Sequence, residues 1–408
     1  MSEKNLPIKI VLQKTTDTQK NQGGGSLKFF GEVTPELQRE ISQKFRDVLD
    51  FYEDVFTENE LTPAVGKITV KPEAIAKSHK PNDLCRECPI IGSEDLDEIY
   101  IKVTKKSIEK TVALIQNPPT KAFRANLTAI SNIQPITADE KISQDLTEIS
   151  SQGKLETIKS KIKVKIFDFN DDFDNVQIVN YIMKKLSDYG FAEKHELIIY
   201  GDQIKFIKIQ VSSYEDIIKI ASINGVKSID FFQEYSLPLN EFLGTDIKTA
   251  LGKEYSDSET TIGIIDGGIS DDNAYLKPYI VAREKYVNEN YQNPNHATFI
   301  ASTIQYGNKL NGIIASSPKR FKFVDIIAIP NSNPKFGPTD TVGEEELMEI
   351  MEEVMKKYSS KVKIWNLSLG IESKICTGSM SDLGVFLDYI QDTYQVQIFV
   401  SSGNLNSI

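Results

Sequence analysis

One aspartate and one histidine carry the clearest chemical signal in this sequence. Asp266 closes an apolar run that begins at Thr261, two glycines follow it, and His296 comes 30 positions later. A carboxylate at the carboxyl end of a buried strand lies where open α/β sheets place their active sites. An aspartate that orients a histidine supplies two of the three groups of a nucleophilic relay. The third group to look for is a serine.

The elements that must position these two residues can be predicted from hydrophobic spacing. Residues 240–408 alternate continuous apolar strands with amphipathic helices, which predicts an α/β fold with a parallel sheet and helices on both faces. The predicted strands are 261–266, 323–329, 362–369 and 397–400, and the predicted helices contain 347–358 and 383–390.

Four short segments at predicted strand ends or at a helix start resemble the motifs of the subtilisin-like serine proteases, the subtilases. In chain order they are Asp266-Gly267-Gly268, His296-Ala297-Thr298, Asn366-Leu367-Ser368-Leu369-Gly370 and Ser401-Ser402-Gly403-Asn404. Each motif is weak alone, since Asp-Gly and Gly-Asn are also common turn residues. Their order and their strand and helix contexts together carry the resemblance. One departure is Ala297, where the family has glycine.

The resemblance implies a serine endopeptidase that hydrolyses peptide bonds, and it assigns a role to each matching residue. Asp266 would orient the base His296, and the Asn404 side chain would donate to the oxyanion. The backbone of Ser368, Leu369 and Gly370 would bind an extended peptide substrate. No cofactor is implied, and the calcium sites common among subtilases have no matching motif here.

The catalytic serine is expected beyond the end of this sequence. In the family it lies in a Gly-Thr-Ser-x-Ala helix start well after the oxyanion asparagine, whereas Ile408 comes four residues after Asn404. Ser379 and Ser381 look similar, but they precede Asn404 and a predicted helix, where serine is the usual cap. We therefore expect a subtilisin-like sheet that is incomplete at its carboxyl terminus, and a 408-residue chain that is inactive alone.

The preceding residues predict one or two ferredoxin-like α+β units. Residues 160–236 have the order βαββαβ of that fold, and they resemble the subtilase prodomain. Residues 64–136 predict a related small unit, with a last strand near 127–133, and residues 1–63 an extension with an amphipathic helix that starts at Pro35. Residues 137–159 look like a linker. The predicted domains are thus 1–63, 64–136, 160–236 and 240–408.

Composition limits the function classes. A net charge of −11 argues against nucleic-acid binding, which needs clustered lysine and arginine. No stretch has the apolar length of a membrane span or of a signal peptide. Three cysteines give no disulfide framework, which favours a reducing cytoplasm. The expected partners are protein or peptide substrates, with the amino-terminal units as surfaces on which a partner protein could dock.

Cys85 and Cys88, with His79 nearby, raise the question of zinc. A structural zinc site takes four ligands, usually from two pairs, and Cys376 lies in another predicted domain. Two free thiols in a short loop are the favoured interpretation, and no metal site is predicted.

One alternative to the protease function stays open, and a second is set aside. An inactive pseudoprotease that binds a peptide or partner would have the same four segments. A nucleotide-binding domain would need a glycine-rich phosphate loop, and no Gly-x-Gly-x-x-Gly or Gly-x-x-x-x-Gly-Lys-Ser/Thr pattern occurs.

Overall fold

The structure is a computed structural model. It describes residues 27–76, 79–151, 161–201, 204–237, 260–310, 320–331, 335, 341–369 and 380–401. The chain divides into two compact units, Met1–Pro135 and Ile136–Ile408. The finer domain boundaries predicted from the sequence stay predictions.

The first unit is built around an antiparallel sheet with the strand order β2-β3-β1-β4. Helix α1 begins at Pro35 as predicted, because the Thr34 hydroxyl accepts a hydrogen bond from the Leu37 amide at 3.2 Å. Its buried face lies in the same core as the sheet. The described elements are α1 (Pro35–Phe51), α2 (Glu53–Glu58), β1 (Ala64–Val70), β2 (Ile90–Ser93), β3 (Glu98–Val103), α3 (Lys105–Gln116), α4 (Lys121–Ala129) and β4 (Ile130–Pro135).

One strand prediction in this unit is wrong at its start. Residues 127–129, predicted as strand, end helix α4, and β4 begins only at Ile130. The Thr120 hydroxyl caps this helix by accepting from the Phe123 amide at 3.0 Å. Phe123 and Leu127 are both buried, and their four-residue spacing is helical.

The second unit contains two sheets. Its described elements are α5 (Ala138–Lys141), α6 (Gln144–Ser151), β5 (Lys161–Ile166), α7 (Asp172–Asp188), β6 (His195–Tyr200), β7 (Ile204–Gln210), α8 (Tyr214–Ala221), β8 (Val226–Phe231), β9 (Glu234–Ser236), β10 (Thr261–Asp266), β11 (Ile280–Lys285), α9 (Asn295–Leu310), β12 (Lys322–Ile327), β13 (Thr341–Gly343), α10 (Glu344–Tyr358), β14 (Ile364–Leu367), α11 (Asp382–Tyr394) and β15 (Gln397–Val400).

The first of these sheets is antiparallel with the order β6-β7-β5-β8, the ferredoxin-like arrangement that the sequence predicts. The first unit shows the same order when its strands are counted along the chain. The predicted linker 137–159 is wrong where the structure describes it, because α5 and α6 are helices there. Ile142 bridges to Ile229 of β8, and Leu146 is buried. The segment is mostly polar, and its composition therefore resembles that of a linker.

The second sheet is parallel, with the order β11-β12-β10-β14-β15 among the described strands. Strand β10 is central, and its alternate side chains point to opposite faces. Ile262 and Ile264 pack with α9 on one face, whereas Ile265 belongs to the core that α10 and α11 cover. Strand β11 was not predicted.

Close packing fixes the centre of this sheet. Trp365 on β14 is fully buried and lies against Gly263 on β10. A Cβ atom on Gly263 would lie 2.0 Å from the indole ring, so only glycine fits. The indole Nε1 donates to the Val362 carbonyl at 3.2 Å, which satisfies its polar atom.

Helices α10 and α11 lie between the two sheets. Their outer faces share one hydrophobic core with Ile204 and Phe206 of β7, and Tyr200 packs edge-on against Phe386 at 4.9 Å between ring centroids. The ferredoxin-like sheet and the parallel sheet therefore belong to one compact unit.

A buried ion network crosses this contact. The Lys163 ammonium on β5 lies 2.6 Å from Glu344 and 2.5 Å from Asp382, which begin α10 and α11. Lys165 adds a second contact to Asp382, at 2.7 Å. Carboxylates are favoured at helix amino termini, and the two acids raise the pKa of Lys163 despite its burial.

Replacing Lys163 by methionine should destabilise the second unit by about 3–5 kcal/mol, because Glu344 would keep a buried charge without its cation. Denaturant unfolding followed by circular dichroism measures this change. The matched control is Lys161→Met at the exposed first residue of the same strand, expected to stay within about 0.5 kcal/mol of wild type. Equal effects of both substitutions would contradict the importance of the network.

Candidate active site

Asp266 and His296 meet at the carboxyl edge of the parallel sheet. Asp266 is the last residue of β10 and is fully buried, and His296 is the second residue of α9 and is 7% exposed. The Asp266 carboxylate Oδ2 lies 2.6 Å from His296 Nδ1. The sequence predicted both residues, and the structure joins them by a short, desolvated hydrogen bond. Their catalytic roles stay predictions.

The turn after β10 explains how the carboxylate is held. Its other oxygen, Oδ1, accepts the Gly267 amide at 2.6 Å. Gly268 has φ of +98°, a conformation that side chains disfavour. A Cβ atom on Gly267 would lie 2.6 Å from the Asn293 carbonyl oxygen. Both glycines are thus required for the chain to turn sharply beside the histidine.

The start of α9 positions the histidine. The Asn293 side chain accepts the Asn295 amide at 3.1 Å, and the Pro294 carbonyl accepts the Thr298 amide, so the helix begins just before His296. Ala297, the departure from the family pattern, is fully buried among the apolar residues between α9 and β10. Its methyl group fills part of the core that supports His296.

The other predicted site residues lie on neighbouring strand ends or outside the described residues. Ser368 and Leu369 follow β14, the strand beside β10, and both are largely buried. The Ser368 hydroxyl donates to the Asn366 side chain at 3.0 Å, and the Leu369 carbonyl accepts the Ser401 hydroxyl at 2.9 Å. Gly370 and Asn404 lie outside the described residues.

Ser381 has the local role that its position predicted. It is the N-cap of α11, and its hydroxyl accepts the Gly384 amide at 3.1 Å. Ser379 lies outside the described residues.

A buried carboxylate beside the site was missed from the sequence. Asp325 on β12 is fully buried next to Ile264 of β10 and accepts the Arg283 guanidinium Nε at 2.7 Å. Burial raises its pKa to about 6, with the nearby Asp266 charge adding to the rise and the Arg283 charge and the Ile269 amide opposing it. An aspartate inside the otherwise apolar run 323–329 was the available signal, since such residues are rarely buried without a partner.

A second missed feature is a short antiparallel ribbon near the site. Strand β9, Glu234–Ser236, pairs with β13, Thr341–Gly343, just before α10. Leu237, the next residue after β9, is buried, and its side chain would lie 2.9 Å from a Cβ atom placed on Gly267. An extended segment therefore runs from the edge of β13 to the turn that follows Asp266.

No cluster of three or more histidine, cysteine or acidic side chains that could hold a metal ion occurs in the described part of the chain. Cys85 and Cys88 are buried free thiols, and burial raises the pKa of both. The Cys88 thiol contacts the Ser107 hydroxyl at 3.3 Å. The His79 ring packs edge-on against Phe30. Cys376 lies outside the described residues.

Among the described helices, none combines the length and the apolar character needed to cross a membrane.

The fold and this pair of residues together define a class of protein: an α/β domain whose central parallel strand ends in a carboxylate that holds a histidine at a helix start. Residues 257–407 match the model of the subtilase family. This part of the chain is a subtilisin-like protease domain, which confirms the predicted resemblance and the predicted α/β fold. The family as a whole consists of serine proteases, which are hydrolases that act on proteins. Comparison with curated proteins gives no match.

Titration of Asp325 gives a test of the site's electrostatics. Its folded pKa of about 6 exceeds the ordinary value of 3.8, so the folded state favours the protonated carboxyl group. The contribution of Asp325 to stability is therefore fully present below about pH 3.8 and is lost as pH rises through about 6. We therefore compare the free energies of unfolding of wild type and Asp325→Asn. The difference, wild type minus variant, should decrease as the pH is raised from 4 to 6.5.

The measurement is denaturant unfolding at a series of pH values. Asp271→Asn serves as the control, because it removes the exposed carboxylate that pairs with the same guanidinium. A difference for Asp325→Asn that rises across this range would contradict the raised pKa.

Proposed function

We propose that the protein is a serine endopeptidase of the subtilisin type, in which Asp266 and His296 activate a serine contributed by sequence after residue 408. The observation that carries this proposal is the buried hydrogen bond of 2.6 Å between Asp266 Oδ2 and His296 Nδ1. The subtilase match over residues 257–407 supports it.

The proposed chemistry follows from which ring nitrogen is bonded. With Nδ1 donating to Asp266, the imidazole tautomer presents Nε2 as the base. Nε2 takes the proton of the serine hydroxyl as the hydroxyl attacks the peptide carbonyl, and it then returns that proton to the leaving amine. The Asp266 carboxylate stabilises the imidazolium that forms in between. No cofactor is needed for these steps.

Asn404 is proposed as the oxyanion donor. Its side-chain amide would donate to the tetrahedral oxygen, an interaction of about 2.7–4 kcal/mol in enzymes of this kind. In the sequence, residue 404 comes four positions after Val400, the last residue of β15, and β15 runs parallel to β14 and β10.

Two features of the described residues support a peptide as substrate. Strand β13 already pairs in antiparallel fashion with the extended segment Glu234–Ser236, through the main-chain ladder that an extended peptide would use. That segment leads to Leu237 beside Gly267. The backbone of Ser368, Leu369 and Gly370 is proposed to bind the other side of the substrate.

The α9 face of the sheet supports a further covering element. Ile364 and Phe399 alternate onto that face of β14 and β15 and are 37% and 54% exposed. A helix bearing the nucleophile is proposed to pack on this apolar face, which is on the α9 side of the sheet. We also propose that the protein acts in the cytoplasm, because its three cysteines provide no disulfide framework.

The test uses a protein that carries the sequence encoded after residue 408, treated with a fluorophosphonate probe. We expect rapid labelling of the wild type, labelling slowed by about 10⁴-fold in Asp266→Asn, and a comparable loss in His296→Ala. Residues 1–408 alone should not label.

Ser381→Ala is the matched control, because Ser381 caps α11 and has no proposed part in the chemistry. It should label at the wild-type rate. Loss of labelling in Ser381→Ala alone, or robust labelling of residues 1–408, would identify a nucleophile within the chain and contradict the proposed serine.

An inactive protein that binds a peptide or partner is the second candidate, favoured by the pairing of β9 with β13. It predicts that a folded, extended protein does not label, yet binds extended peptides in competition with the segment 234–237. Labelling that depends on Asp266 and His296 would exclude this candidate.

A further inference from the structure

The backbone of Ile269 is held on both of its polar atoms. Its N–H donates to the two carboxylate oxygens of Asp325 at 3.1 and 3.2 Å, and its carbonyl accepts the Arg283 guanidinium at 2.5 Å. Ile269 comes three residues after Asp266. A carboxylate and a guanidinium from two neighbouring strands thus bind the turn that begins at Asp266.

Arg283 uses all three of its nitrogens in this arrangement. Nε donates to Asp325, one terminal nitrogen donates to Ile269, and the other pairs with Asp271. Asp325 is fully buried, and the Arg283 side chain is largely buried. A planar guanidinium makes these bonds from three separate nitrogens held in one plane, whereas an ammonium group has a single nitrogen.

The same turn is tied to the helix that bears His296. The Ser270 amide donates to the Thr298 hydroxyl at 2.8 Å, and Thr298 lies two residues after His296. Gly267, at the start of the turn, donates to Asp266 Oδ1. The turn is therefore bonded to Asp266 and to the helix that bears His296, and a shift of its backbone would move one relative to the other.

Stability alone is a poor explanation for this ion pair. Buried ion pairs can often be replaced by apolar residues of similar volume without loss of stability. Asp325 lies in a strand whose neighbours are apolar and buried. Its two oxygens and the guanidinium are directed at the backbone of the turn after Asp266.

We propose that Arg283 and Asp325 are positioning residues that align Asp266 with His296 by fixing the turn at residues 267–271. The inference rests on the proposed function, since it assigns these two residues to the geometry of the same relay. Neither residue touches the reacting atoms.

The test reads the Asp266–His296 bond directly by nuclear magnetic resonance of the 408-residue chain labelled with ¹⁵N-histidine. A proton in a short N–H to carboxylate bond resonates at low field. We expect such a signal in the wild type, lost in His296→Gln and in Asp266→Asn. It should be lost or shifted upfield in Arg283→Met, Arg283→Lys and Asp325→Asn.

Arg283→Lys separates positioning from charge, because lysine keeps a cation near Asp325 but lacks the three separate nitrogens with which Arg283 reaches Asp325, Ile269 and Asp271. It also carries the test if Arg283→Met fails to fold. Lys285→Met, an exposed change on the same strand, should leave the signal unchanged. A dispersed amide spectrum shows that each variant is folded.

The outcomes distinguish the two proposals. A folded wild type without the low-field signal would contradict the relay itself. A signal that persists unchanged in folded Arg283→Met, Arg283→Lys and Asp325→Asn would leave the relay standing and overturn the positioning roles. A low-field signal in Arg283→Lys that equals the wild-type signal would show that a positive charge at residue 283 is sufficient to align the pair. That result would also overturn the proposal.

Discussion

The hydrogen bond between Asp266 and His296 is the constraint on which the surrounding structure depends. A carboxylate with no exposed surface must find donors, because an unpaired buried charge costs far more than a domain can tolerate. The donors here are the His296 ring and the Gly267 amide. To bring these two donors to the carboxylate, the chain ends a central strand at Asp266, turns through two glycines and begins α9 next to the same residue.

Further contacts hold the turn after Asp266 in place. Asp325 and Arg283 hold the turn from the neighbouring strands, and Thr298 holds it from the helix. On the opposite face, α10 and α11 pack against the same sheet and also against the ferredoxin-like sheet. The buried Lys163 joins the amino termini of these two helices to β5. The ferredoxin-like residues that directly precede the protease domain thus belong to the compact unit that contains the site.

Much of this arrangement could be predicted from the sequence because it depends on local patterns. The strand that ends at Asp266 is a continuous apolar run, and α1 and α11 have recognisable caps at Thr34 and Ser381. The Asp and His motifs occur in family order, and the structure brings them together.

Other features depend on contacts between residues that are far apart in the chain. The role of Arg283 depends on its hydrogen bond to Asp325, which comes 42 residues later in the chain. Strand β9 pairs with a strand more than 100 residues away. Helix α6 was missed because Leu146 and the polar residues around it give only a weak helical periodicity.

The close packing of Trp365 against Gly263 has a consequence for spectroscopy. Trp365 is the one tryptophan in the 408 residues, and it is fully buried three positions along the register from the strand end at Asp266. Its fluorescence therefore reports on the sheet that holds the site and not on the amino-terminal unit, which has no tryptophan. Far-ultraviolet circular dichroism reports on both units together. A comparison of the two signals during unfolding would show whether the units unfold as one cooperative transition or separately.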